Sequence, residues 1–121
     1  MANGDLIDTV KAKSIARSAS SYKLLDGQSS ATDGVWIDTR LFSAGSVEIS
    51  GTFVSTVEIH ATNLANPAPT DNGAVIGTAS SPGFVQLVQS GIPLRSRYVK
   101  AKVTAYTSGS INANYHGISG G

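Results

Sequence analysis

Residues 97–116 read RYVKAKVTAYTSGSINANYH, and the spacing of their apolar side chains decides the fold class. Val99, Ala101, Val103 and Ala105 fall on one parity and Lys100, Lys102, Thr104 and Tyr106 on the other. That period of two is the pattern of a strand with one buried face. Ile111, Ala113 and Tyr115 repeat it beyond Ser108 and Gly109. The Ser-Gly break predicts a turn, so the stretch reads as a β-hairpin.

Further β-rich runs lie at 22–25, 35–39, 46–50, 52–62, 74–79 and 84–89. Turn chemistry separates them. Asp26 with Gly27, Asp33 with Gly34 and Asn72 with Gly73 tolerate positive φ, and Pro82 with Gly83 suits a type II turn. Short runs at this spacing predict an all-β protein, a single antiparallel β-sandwich or jelly roll. In the run 52–62, Phe53, Val57, Ile59 and Ala61 are expected to face the core, and Thr56, Glu58, His60 and Thr62 to face outward, with Ser55 interrupting the apolar side. Residues 63–72, NLANPAPTDN, carry two prolines and no apolar period, which predicts a loop. Residues 5–17 mix charges with Leu6, Ile7, Val10 and Ile15 in a broken helical pattern without a capping box. The expected division is an N-terminal arm or short helix over 1–20, a sandwich over 21–116 and a tail over 117–121.

A chain of 121 residues suits one core. Only 14% of residues are charged, against about 25% in ordinary soluble domains. The surface must therefore be built largely from Ser, Thr, Asn and Gly, which suits an assembly with large contacts, an extracellular particle or an ordinary secreted-type β domain. Zero cysteines exclude a disulfide framework, thiolate metal sites and a cysteine nucleophile. No apolar run approaches the roughly 18 residues of a membrane span, and the first twenty residues lack the apolar stretch of a signal peptide. Synthesis and assembly in a cytoplasm is the expectation, with no membrane partner. A formal net charge of +1 provides no global attraction for nucleic acid.

The chemical motifs thin out under inspection. Gly117, Ser119 and Gly121 match G-x-S-x-G, but the nucleophile elbow needs a strand-to-helix turn with acid and histidine later in the chain. His60 and His116 lack a second metal ligand at signature spacing, and Asp71-Asn72-Gly73 lacks the other positions of a calcium loop. Glu48 and Glu58 read as solvated strand residues rather than a glycosidase pair. The expectation is no catalytic residue, no metal, no cofactor and no enzyme. Trp36 has the opposite parity to Val35 and Ile37, so it is either outward, for stacking on a sugar or a partner, or packed at a sheet edge. Arg95, Arg97, Lys100 and Lys102 are the only charges after Asp71. They make a basic strand that could meet an acidic surface or simply protect an edge from aggregation. Leu6, Val10, Lys11, Lys13 and Arg17 could join a partner as an added strand or helix.

Gly51-Thr52-Phe53, Ile76-Gly77-Thr78, Arg97-Tyr98-Val99 and the TAYTSG of residues 104–109, in this order, resemble a group of small tailed-bacteriophage virion proteins over about residues 33–116. The resemblance implies a capsid decoration or cement protein in the virion. It would self-associate as a homotrimer and bind the major capsid protein on the outer head surface. The alternative it implies is a tail or baseplate sandwich module that binds host-surface glycan. Similar sequences often carry a glycine-tryptophan loop after the position of His60, and residues 63–72 here hold no tryptophan.

Overall fold

The computed structural model describes residues 17–120. Eight strands follow one another: β1 (Arg17–Gln28), β2 (Ile37–Asp38), β3 (Ala44–Thr62), β4 (Ala74–Ala79), β5 (Gly83–Gln86), β6 (Val88–Gln89), β7 (Ile92–Pro93) and β8 (Tyr98–Gly120). Among the described residues every pairing is antiparallel, and the fold is all-β and sandwich-like. The expected arm or short helix of residues 1–16, with Leu6, Val10, Lys11 and Lys13, lies outside the described residues. Arg17 opens β1.

The stretch read as a hairpin is instead one strand. The two halves of β8 do not pair with each other. Both pair with β3, from Tyr98 opposite Thr62 to Ile118 opposite Ala44. Between these ends the register shifts once. Val54 to Thr56 advances two positions on β3, while Ser108 to Thr104 covers four on β8. The two surplus residues preserve parity on both strands, so the odd-numbered side chains keep facing the core on either side of the irregularity. Ala105 lies in it with φ of 48° and is exposed, contrary to its expected inward position. Tyr106 packs against the core instead, its hydroxyl donating to the Gly109 carbonyl at 2.7 Å. The buried Ser55 donates to the Thr104 carbonyl at 3.0 Å, which satisfies one of the groups released by the shift.

Shorter strands flank this ladder in two sets. One half of the sheet runs β1-β8-β3-β5, the other β2-β8-β3-β4. A single core cluster draws on both, with Val47, Ile49, Ile111, Ala113 and Val85 from the first and Val57, Ile59, Val99, Ala101 and Val103 from the second. A bulge after Lys23 lets consecutive Leu24 and Leu25 both reach it. β8 continues through Gly120 because Arg17 to Ser20 and Ala44 with Gly45 flank it on both sides, so most of the expected tail is sheet.

One end of the core is aromatic. Gly45 and Gly117 are cross-strand partners, and the Tyr115 ring lies over them with Phe42 at 5.8 Å and Tyr22 at 6.5 Å between ring centres. A Cβ on Gly45 would stand 2.6 Å from the Tyr115 hydroxyl, so the site requires residues without side chains. Burial pushes the Tyr115 phenol up to about 12, with Tyr22 adding to the shift.

Two outcomes follow from this packing. Gly109, at φ of 100°, has no room for a Cβ against the Thr52 carbonyl and the Phe53 backbone. Gly109→Ala is expected to cost about 2–4 kcal/mol, read as a lower urea midpoint. Because the folded state holds the Tyr115 proton more tightly than the unfolded chain, the associated stability is present below pH 10 and is lost as pH rises towards 12. The loss should be on the order of 1–2 kcal/mol and absent in Tyr115→Phe, as checked by urea melts at pH 9 and 11.5. Lys100, shifted downward, contributes the opposite slope in both proteins and cancels in the comparison.

Candidate functional site

In the β2-β8-β3-β4 half, the even-numbered face of β3 and β8 carries Glu58, His60, Lys100 and Lys102, with His60 opposite Lys100 and Glu58 opposite Lys102. Strand alternation sends these side chains away from the core, as the sequence predicts. Two of them are nevertheless buried. Lys100 is 0% exposed and His60 2%. The residues 63–73 between β3 and β4 fold back over this face and cover them.

The contacts that hold the loop are specific. Lys100 Nζ donates to the carbonyls of Pro69 and Asp71, both at 2.7 Å, and sits 4.8 Å from the centre of the Trp36 ring. Trp36 Nε1 donates to the Ala68 carbonyl at 2.9 Å, and the Tyr98 hydroxyl donates to Ala65 at 3.3 Å. His60 Nδ1 lies 2.6 Å from the Asn72 carbonyl, and its Nε2 lies 2.9 Å from Glu58 Oε1. The Asn72 carbonyl can only accept, so Nδ1 donates to it. Lys102 Nζ donates to Asn72 Oδ1 at 3.2 Å and stands 3.5 Å from Asp33. Within the loop, Asp71 accepts from the Ala68 backbone at 2.8 Å and donates its own amide back to the Ala68 carbonyl. Proline at 67 and 69 limits the conformations this turn must lose on ordering.

These contacts compensate a costly group. Burial pushes the Lys100 ammonium below the usual lysine range; Asp33 and Asp71 oppose that shift and Lys102 reinforces it. An ammonium removed from water needs close acceptors, which the two loop carbonyls supply, and the indole face adds a cation–π contact. Lys100 is therefore not available to an acidic neighbour, as the basic-strand reading expected, because the loop occupies its face. Lys102 is half-buried and already engaged with Asp33 and Asn72. Arg97 supplies backbone bonds to Thr62, Asn63 and Thr39, tying the start of β8 to both neighbours. Trp36 is half-buried at a sheet edge, with one ring face towards Lys100.

Arg95 stands apart at an open groove of about 440 Å³ at the base of the loop. Ala61, Ala74, Ile76 and Leu94 form its apolar lining, and Gln89 and Arg95 stand among its polar residues. The structure thus gathers Trp36, Lys100 and Lys102 around the loop, and leaves Arg95 at the groove beside it. Residues 63–73 carried only a loop signal in the sequence, and Thr39 carried none. Thr39 is buried, its hydroxyl donating to the Ser96 carbonyl at 2.9 Å. Asp38 is held below the usual carboxylate range by hydrogen bonds from Arg40, but the pair is half-exposed and contributes little to stability. Among the described residues no three His, Asp or Glu side chains come together as a metal site. His116 is exposed and pairs with the Ser21 hydroxyl at 3.1 Å.

No protein-family model matches the chain, and no curated protein matches it. Among solved structures, the crystal structure of SPBc2 prophage-derived protein YomS has a similar fold, with a TM-score of 0.61 and 15% identity. The likeness covers 85% of this chain and 95% of that one.

If Lys100 holds the loop, Lys100→Ala leaves the Pro69 and Asp71 carbonyls without their donor. It should destabilise the protein by about 2–4 kcal/mol. Backbone amides of residues 63–73 should lose protection in hydrogen exchange before those of β3 and β8.

Proposed function

We propose that this protein is a non-enzymatic structural component of a bacteriophage virion, a decoration or cement protein that self-associates as a homotrimer and binds the major capsid protein on the outer head surface. It would be assembled onto heads in the host cytoplasm. The observation that carries the phage reading is the fold shared with a prophage-derived protein along almost the whole of that neighbour. The decoration role draws support from the surface. Val35, Leu41, Val54, Leu64, Phe84 and Ile92 are all more than half exposed on a chain with few charges. Large apolar side chains in that setting suit coverage by neighbours. The docked loop adds a pre-ordered element that loses little entropy on binding.

The tail or baseplate reading depended on Trp36 or the loop as a sugar platform. One face of the Trp36 ring and its indole N–H are already engaged with Lys100 and Ala68, and no other observation favours that reading.

Addition of the purified protein to undecorated heads should give saturable binding at regular outer-surface positions, visible by electron microscopy of labelled particles. Attachment to tails alone, or no attachment, would overturn the proposal. Removal of residues 1–16 stops short of β1, so it should leave the thermal transition in place while lowering head occupancy at least severalfold if the segment tethers the protein.

A further inference from the structure

We infer that this chain binds a second copy of itself head to tail, with Phe84 and Glu48 of one copy seated in the groove beside Arg95 of the next. The inference deepens the self-association part of the proposed function and rests on that part alone.

Charge accounting points to the two surfaces. Among the described side chains, Lys23 pairs with Asp26, Arg40 with Asp38, Lys102 with Asp33, and His60 with Glu58. Lys100 and Asp71 are engaged in the loop. Glu48, Arg95 and Arg97 remain, one acid and two bases whose side chains make no hydrogen bond or ion pair among the described residues, and of the two bases Arg95 is the exposed one and the one at the groove. Glu48 stands beside the exposed Phe84, and Arg95 among the apolar lining of the groove.

Glu48 lies on the outer face of β3, directly opposite Phe84 of β5. Phe84 is 68% exposed, so an aromatic side chain and a carboxylate project together as a knob. Arg95 lies at the groove of about 440 Å³ lined by Ala61, Ala74, Ile76 and Leu94. A cavity of this size accepts several side chains. A guanidinium among apolar lining residues suits a carboxylate carried next to an aromatic ring.

The knob cannot enter the groove of its own molecule. Glu48 and Phe84 are fixed by pairing in the β1-β8-β3-β5 half, whereas the groove opens at the end of the other half, and no residue belongs to both. Joining unlike surfaces is a heterologous contact. Repeated by a closing rotation it yields a ring, of which a trimer is one case.

The experiment is a charge exchange on the purified full chain, read by sedimentation velocity over a range of concentrations. The wild type should associate beyond the monomer. Glu48→Arg and Arg95→Glu should each weaken association by at least about tenfold through like-charge contact. The double variant should recover it to within about threefold of wild type. Phe84→Ser should weaken association without lowering the urea midpoint, because the ring is exposed in the single molecule. A wild-type protein that stays monomeric, association indifferent to either single exchange, or a double variant that fails to recover would each overturn the inference. The measurement involves no capsid, so its failure leaves head attachment to be judged by the particle-binding experiment.

Discussion

Backbone pairing between β3 and β8 extends from Ala44 opposite Ile118 to Thr62 opposite Tyr98, and β1, β2, β4 and β5 attach to one edge or the other of that ladder. Its one irregularity offsets the register by an even number of residues. An odd offset would have turned every apolar side chain beyond it from core to solvent. The even offset leaves one apolar face continuous through both halves of the sheet, so one core cluster can collect residues from each. Ser55, Ala105, Tyr106 and Gly109 are the local adaptations at this place: a hydroxyl for a released carbonyl, a positive φ, an anchoring ring and a position without a side chain.

The same ladder creates the loop platform. Because parity is maintained, Lys100 and His60 must leave the core on the opposite face, side by side across the two strands. An ammonium there would ordinarily extend into water. Here the proline-containing connection between β3 and β4 covers it, and the desolvation cost is offset by two carbonyls and the Trp36 face. Such an arrangement contributes more to the uniqueness of the loop conformation than to net stability, since removing a charge from water and pairing it nearly cancel. A loop held by these contacts has fewer conformations open to it than an untethered one.

The all-β class, the loop at 63–72 and the parity of most of β3 and β8 were legible in the sequence, because alternation and turn chemistry are local. The hairpin at Ser108 and Gly109 was misread for an equally physical reason. A Ser-Gly pair permits a reversal, but it also permits a kink inside a long strand, and local preference is the same for both. The choice was made by β3, which offers partners to both halves of β8. Lys100 shows the same limit at a single residue. Its outward direction was readable from its neighbours, whereas its burial depended on a loop thirty residues earlier in the chain.

The amino-acid sequence by itself determined the alternating faces, the loop with its prolines, the shortage of charge and the absence of cysteine chemistry, since each is a property of neighbouring residues or of composition. Tertiary structure alone decided that residues 98–120 form one strand, that Lys100 and Trp36 secure a loop, and that Arg95 stands beside a groove. Those outcomes depend on contacts between segments far apart in the chain, and pairing energies of that kind have no counterpart in local sequence pattern.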